Sequence, residues 1–545
     1  MGMNKLKLTA LGTCLASVSL LLAACSNGNN ANNHQNLSWT ETAQLTTQDP
    51  SLTTDSMSFQ AEVNTQEGLY RLDKNQKPKL ALAKSVRVSD GGRVYDFTLR
   101  KGLKWSNGTP LTAKDFVYSW RRTVTPSTKS TMAFYLNYLK NAAAINASKK
   151  SPSSLGVSAP SKYHLHVELE RPVSYFKRFL AYPLYFPQNQ KFVEKAGKKY
   201  GTAAQYTLAS GPFKMTKWTG NNKTFTLVKN KNYWDAKHVR LQKVNEQVSE
   251  SSSTSYNLYS ANKTDETPLT GEQVAANKGK AGFHARKAAA LQRLELNQTT
   301  VPAFKNKKIR QAFSLAINRQ TLAKNVLRNG SVAAQGFVPS GMGKNPKTGK
   351  QFYKEAYVKS GVEYNLPKAK KLIREGMREA NVKSLNLTLL SSDDDNGKQI
   401  AEFLQSKLDS LPNVKISVQT IPYTQLISRE DKKDYQLAVD TWKSILADPI
   451  NFLDVFESDS SYNDCGWKNA EYDKLLDEAE NVYGNQPEKR WTRLVKAEKI
   501  LMNDQATIPL IQIANPQLVR TSVKNVSFNP NGVPYDFKNV YIANK

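Results

Sequence analysis

From about residue 38 to the C-terminus, strand-type and helix-type patterns alternate, which restricts the chain to a mixed α/β architecture. Residues 94–125 show this best. Val94, Asp96, Thr98 and Arg100 alternate with Tyr95, Phe97 and Leu99, the period-two signature of a half-buried strand. Ser106-Asn107-Gly108-Thr109-Pro110 is turn chemistry. Thr112 stands three residues ahead of Asp115, a capping box with Asp in place of Glu. It opens a helix with Phe116, Val117 and Trp120 at helical spacing. Later, "SGPFKMTKW" to "FTLVKNKNYWDAKHVRLQKV" reads as turn, strand, turn, strand. "NKKIRQAFSLAINRQTLAKNVL" is an amphipathic helix, "LNLTLLSSDDDNGKQIAEFLQSKL" a strand, acidic loop and helix, and "KRWTRLVKAEKILMNDQATIPLIQIANPQLV" a helix followed by an apolar strand. The pattern predicts more than one lobe, and the length allows two or three domains.

Residues 1–24 combine a basic start (Lys5, Lys7), an apolar stretch from Leu8 to Leu22, and two small residues, which predicts a secretory signal. Leu22-Ala23-Ala24-Cys25 looks like a bacterial lipobox, implying that Cys25 becomes the first mature residue and carries a diacylglycerol. Two acyl chains anchor a protein stably where one does so only marginally. Residues 25–37 are polar and rich in Asn and Gly, and predict a flexible tether that reaches about 40 Å when extended. Of three cysteines, Cys14 leaves with the signal and Cys25 is modified. Cys465 alone remains, so no internal disulfide is expected and the core must hold the fold. Removing Lys5 and Lys7 from the +31 of the whole chain leaves +29. The basic residues are dispersed and the protein is exported, so this charge predicts a surface facing anionic lipid or cell-wall polymers and no nucleic acid.

"LRKGLKWSNGTPLTAKDFVYSW", "SGPFKMTKW", "KNKNYWDAKHVRL", "SSSTSYNLYSANKTDE", "KNKKIRQAFSLAINRQTL", "YNLPKAKKLI", "DPINFLDVF" and "AEKILMNDQATIPL" together resemble the peptide-binding family (family 5) of the extracytoplasmic solute-binding proteins of ABC importers. The resemblance implies a bilobal clamshell of the class II periplasmic-binding type with an extra inserted α/β domain. Lobe I would comprise residues 38–67, 207–295 and 508–545, the inserted domain 68–206, and lobe II 296–507. It further implies a monomer that buries oligopeptides between its lobes, closes by hinge motion, and docks on a membrane permease driven by cytoplasmic ATPases.

A binder tolerant of many sequences must recognise what peptides share, an extended backbone and charged ends. Strand addition supplies the first. By resemblance, one edge is Gln44-Leu45-Thr46, ahead of Asp49-Pro50, and the other is Thr441-Trp442-Lys443-Ser444. Tyr135 matches a pocket tyrosine, with Tyr138 the alternative. Family members commonly carry an aspartate three residues after the position of Trp442 to pair with the peptide's α-ammonium; here that position is Ile445. A buried ammonium left without a partner is costly, so either Asp448 substitutes or the N-terminal clamp is abandoned.

No nucleophile-elbow, zincin or P-loop pattern occurs, and no catalysis, metal or cofactor is expected. "DDDNG" (393–397) has the wrong spacing for a calcium loop and predicts a helix start. His164 and His166 predict a half-exposed strand, and Cys465 a packed small residue. Two function classes follow: a lipid-anchored receptor of an oligopeptide importer, or a pheromone-sensing or adhesive surface protein on the same fold.

Overall fold

The computed structural model describes residues 35–543. Three sheets organise it. In the first, β1 (Asn36–Glu41) lies parallel to β8 (Lys243–Val248), followed by the antiparallel strands β7 (Thr224–Lys229) and β6 (Phe213–Thr216). Trp39, Phe213, Leu227 and Val244 face its core, together with Phe537 and Val540 from the C-terminal segment. Leu37 is fully buried within β1, so residues 36 and 37 belong to this sheet and not to the expected tether. An apolar side chain at 37 is what draws the strand back.

The second sheet has the order β9 (Glu266–Pro268), β14 (Ile508–Val519), β10 (Phe283–Leu296), β13 (Leu437–Lys443), β11 (Leu385–Ser392), β12 (Val414–Ile421). The pair Val332–Ala333 also adds to β14. β10 and β14 are the long members. The first half of β10 pairs with the end of β14, its second half with the start of β14 and with β13, and the register shifts between Lys287 and Leu291. Helices α3 (Lys307–Ala316), α4 (Leu366–Glu379) and α5 (Asp395–Leu408) pack Ile309, Phe313, Ile373, Ile400 and Leu404 onto Leu387, Leu389 and Leu437. Asp394 caps α5 by accepting from the N–H groups of Asn396 and Gly397, which is the work of the acidic loop.

The third sheet, entirely within residues 83–168, runs β2 (Ala83–Ser89), β3 (Val94–Leu99), β5 (His164–Glu168), β4 (Val157–Ser161), all antiparallel. Helix α2 (Ala113–Val124) buries Phe116 and Trp120 against Phe97, Leu165 and Val167. Its capping box forms: the Thr112 N–H donates to Asp115 Oδ2 at 2.7 Å, and the Trp105 indole donates to Asp115 Oδ1 at 3.3 Å. His166 hydrogen-bonds Asp96 at 2.7 Å on the half-exposed face of β5. Cys465 is fully buried, and burial pushes its thiol far up, as befits packing and not reactivity.

The core of this third unit continues without a break into residues 446–506, through Leu446, Ile450, Phe452, Trp467 and Trp491. The two bodies are also joined by charge. Arg171 pairs with Glu480 at 2.8 Å, and the Tyr175 hydroxyl donates to the same carboxylate at 2.6 Å. Helix α6 (Pro487–Asp504) contributes Arg490, which grips Glu480 at 2.6 Å from the other side.

Candidate functional site

Among the described residues, two stretches of backbone lack ladder partners where a further strand could add. After β1 the chain leaves its sheet, and Ala43, Gln44 and Leu45 make no backbone hydrogen bond. The Leu45 side chain is buried in the first core, which fixes the segment in place. The Thr46 N–H donates to Ser58 Oγ at 2.9 Å, and the Thr46 hydroxyl to Asp55 at 2.5 Å, so both are drawn toward α1 (Ser56–Thr65).

The second stretch is the end of β13. The Ser444 N–H donates to Ala289 O at 2.9 Å. By the alternation of an antiparallel ladder, Trp442 and Asp440 then aim their backbone groups at β10, while Thr441 and Lys443 aim theirs at the other edge. β11 covers that edge only at Leu437 and Ala438. The Thr441 N–H is taken by the Asp440 carboxylate at 2.5 Å, leaving Lys443 as the open rung. Lys443 reaches across the groove to Ser56 Oγ, 3.2 Å away.

A cavity of about 380 Å³ adjoins this contact. Thr42, Ser56 and Gln60 line one wall, and Asn329, Asn396 and Lys443 the other. Burial lowers the Lys443 ammonium pKa. Aromatic rings ring the groove elsewhere. Trp442 meets Tyr462 edge-on at 5.1 Å and donates its indole N–H to Asn451 O at 2.6 Å. The Tyr135 ring lies tilted against Phe134, 4.1 Å between centroids, and burial raises its phenol pKa, with Tyr462 and Asp454 adding to the shift. Tyr138 turns instead to Tyr175, 5.8 Å away between rings. Tyr135 is thus the tyrosine nearer the Trp442–Tyr462 pair.

Two expected site residues are committed elsewhere. Asp448 is no free carboxylate, because both its oxygens accept from Arg490 at 2.9 and 3.0 Å and Oδ1 also accepts from the Ile450 N–H. A carboxylate so paired has its charge already matched by Arg490 and most of its acceptor positions filled. Ser444 is fully buried, its N–H on Ala289, its carbonyl on Gly532 and its hydroxyl within the 444–451 loop, so it offers the groove no rung. Ile445 is half-buried beside Tyr182, Arg178 and Asn531 at a small separate cavity. What sequence reading missed is a trio of buried glutamates, Glu41, Glu246 and Glu266, behind the first wall. Their positions are far apart in the chain, and only the pairing of β1 with β8 and the approach of β9 bring them together. Among the described residues no group of side chains suits a metal ion, and no helix is long and apolar enough to cross a membrane.

The sequence profile of the bacterial extracellular solute-binding proteins, family 5, matches residues 77–464. The chain belongs to this family. This family 5 protein is 34% identical to a dipeptide-binding protein of Lactococcus lactis subsp. cremoris over 99% of its own length and all of the relative's. It is 30% identical to the oligopeptide-binding protein OppA of Bacillus subtilis, covering 90% of each chain. Among solved structures, OppA of Listeria monocytogenes bound to peptide superimposes with a TM-score of 0.78 at 35% identity, over 94% of this family 5 chain and 100% of the other. The pheromone receptor PrgZ does so with 0.79 at 35% identity, again over 94% and 100%. The bilobal binding-protein fold with its inserted α/β domain follows from these matches, and the family is one of transport receptors, not of enzymes.

Proposed function

We propose that this protein is the lipid-anchored receptor of an oligopeptide importer, holding extended peptides between its lobes and delivering them to a membrane permease. The observation that supports this is the pair of backbone edges without ladder partners, residues 43–45 and Lys443, with Thr42 and Lys443 both lining one cavity. A strand inserted between them gains ladder bonds that do not depend on its sequence. The names of the relatives, dipeptide- and oligopeptide-binding, point the same way. Lobe I would be residues 38–67, 207–295 and 508–545, lobe II 296–507, with the β10–β14 ribbon as hinge. The anchor, on Cys25, and its leader lie outside the described residues.

Ile445 and the committed Asp448 leave the peptide N-terminus without the usual carboxylate, so this receptor binds peptides without a fixed ammonium clamp. A second reading, sensing of one peptide signal, is favoured by the equal likeness to PrgZ. Native mass spectrometry of the lipid-free protein, followed by release of bound ligand, separates them. A ladder of varied short peptides is expected; one unique peptide would establish sensing. An empty protein that also ignores a peptide library would overturn both.

A further inference from the structure

The backbone of Lys443 is the open rung of β13, and its side chain is uncommitted as well. Of the three ammonium N–H groups, one is given to Ser56 Oγ at 3.2 Å, and the other two have no acceptor among the described residues. No carboxylate raises the Lys443 pKa; burial alone acts on it, and lowers it. The residue nonetheless keeps an exposed surface, because it lines the cavity of about 380 Å³, a volume that suits a ligand group. An ammonium in such a place has lost part of its hydration and gained no counter-charge, a costly state that a ligand anion relieves.

The surroundings do not relieve it. Lys443 is the only lysine or arginine lining the cavity. On the same wall, Asn329 accepts from the Ser331 N–H while its Nδ2 donates to no protein group, and the Asn396 side chain makes no hydrogen bond among the described residues. Two glutamates line the cavity, and neither offsets the ammonium. Gln60 donates to Glu41, and Gln517 donates to Glu266 at 2.9 Å. Burial raises both carboxyl pKa values, that of Glu266 to about 8 despite the opposing charge of Arg286, so both stand protonated at neutral pH. Asp55, next to Ser56, is spent on the Thr46 hydroxyl and the Ser58 N–H. The wall that carries Lys443 thus offers a cation and two amide donors with no protein acceptor to match them.

We propose that the Lys443 ammonium, with the Asn329 and Asn396 amides on its wall, forms a subsite that takes a carboxylate of the peptide ligand. This rests on the peptide-binding reading above. A peptide carries that group in two places, at its C-terminus and on aspartate or glutamate side chains. A lysine ammonium is a compact charge with rotatable donors, so it serves either source without demanding one fixed orientation. A ligand laid along the Lys443 rung brings one of its own groups within a side chain's length of the ammonium, so the preference belongs to one position and not to peptide charge overall. The same cation repels a free α-ammonium placed beside it, in keeping with the absence of a carboxylate at position 445.

The test is calorimetric titration of the full lipid-free chain with short alanine peptides in two series. One compares free with amidated C-termini; the other compares glutamate with glutamine at each position in turn. One carboxylate is expected to bind roughly tenfold tighter than its amide, the lower end of what a hydrogen bond to a charged group is worth. An effect of amidation assigns the subsite to the C-terminus, and a glutamate effect at one position assigns it to a side chain. Lys443→Met should narrow that ratio to about twofold and Lys443→Arg should keep most of it, with circular dichroism checking that both variants fold. Lys443→Met retains nearly all of the chain's positive charge, so a ratio that survives in it comes from general attraction and overturns the subsite. Equal binding of acid and amide throughout both series would overturn it too, while leaving the peptide reading intact. If no peptide of either series binds, it is the peptide reading itself that fails.

Discussion

At position 445 an isoleucine stands where the family resemblance implies an acid, and its neighbours explain why nothing nearby replaces it. Asp448 and Glu480 share Arg490, and Glu480 also receives Arg171 and Tyr175. Nearby charges hold the Arg490 guanidinium pKa well above its ordinary value despite burial, with Asp448 the largest source and Glu480 next. Arg490→Ala leaves two buried carboxylates facing each other. It is expected to cost about 3–5 kcal/mol, read as a lower midpoint in urea unfolding. Ile445→Asp, by contrast, adds a carboxylate at the small separate cavity, where the family resemblance implies an ammonium partner. It should raise affinity for peptides with free N-termini and leave their acetylated counterparts unaffected; equal affinities for both would show that the ligand's ammonium does not reach this position. Of these residues, the sequence made position 445 conspicuous by a count of spacing from Trp442. It could not show that Asp448 was already engaged, because the partner lies forty-two positions further on, on a separate helix.

Among elements, α2 and its approach are the most legible. The alternation over 94–100, the Asn-Gly turn and the Thr112–Asp115 box all appear where residue types place them, because each is a local device acting within a few positions. Thr112→Ala should remove about 1 kcal/mol from the unfolding free energy, the ordinary worth of an N-cap. Asp115→Ala should cost more, since it frees both the Thr112 N–H and the buried Trp105 indole. The site's edges were legible only by analogy. That Lys443 carries the open rung of β13, and Ser444 none, depends on the register with β10 and on a bond from Gly532, neither of which is written locally. The glutamate trio was illegible for the same reason: each member sits in an ordinary strand pattern, and it is the parallel docking of β1 on β8 that makes them neighbours.

At the scale of the whole molecule, the acids set a dependence on pH. Burial pushes Glu246 and Glu266 up to about 8, Glu295, Glu457 and Glu498 up to about 7, and Asp464 up to about 6. Between the ordinary glutamate value of 4.5 and these folded values, the unfolded chain has released protons that the folded chain still holds. Stability therefore falls as pH rises through that window. The opposite group, Glu480 held low by Arg490 and Arg171 despite its burial, and Asp235 held low by Lys538 and His238, favours folding above about pH 4 and is lost below it. The two together place the optimum on the acid side of neutrality. A thermal midpoint higher at pH 5 than at pH 8 is the expected result in scanning calorimetry of the ligand-free protein; a midpoint that climbs steadily to pH 8 would contradict it.

The chain runs out along β10 and returns on β14, and these two strands are bonded to one another for most of their length. A cut anywhere in the residues between them leaves two fragments that each keep one strand of the ribbon. The loop at 346–350 is exposed and carries Lys347 and Lys350, so trypsin acting there would produce a nicked receptor whose pieces remain joined through the β10–β14 pairing. Such a molecule would migrate as one species under native conditions and as two in detergent, and fragments expressed separately from that point would be able to reassemble.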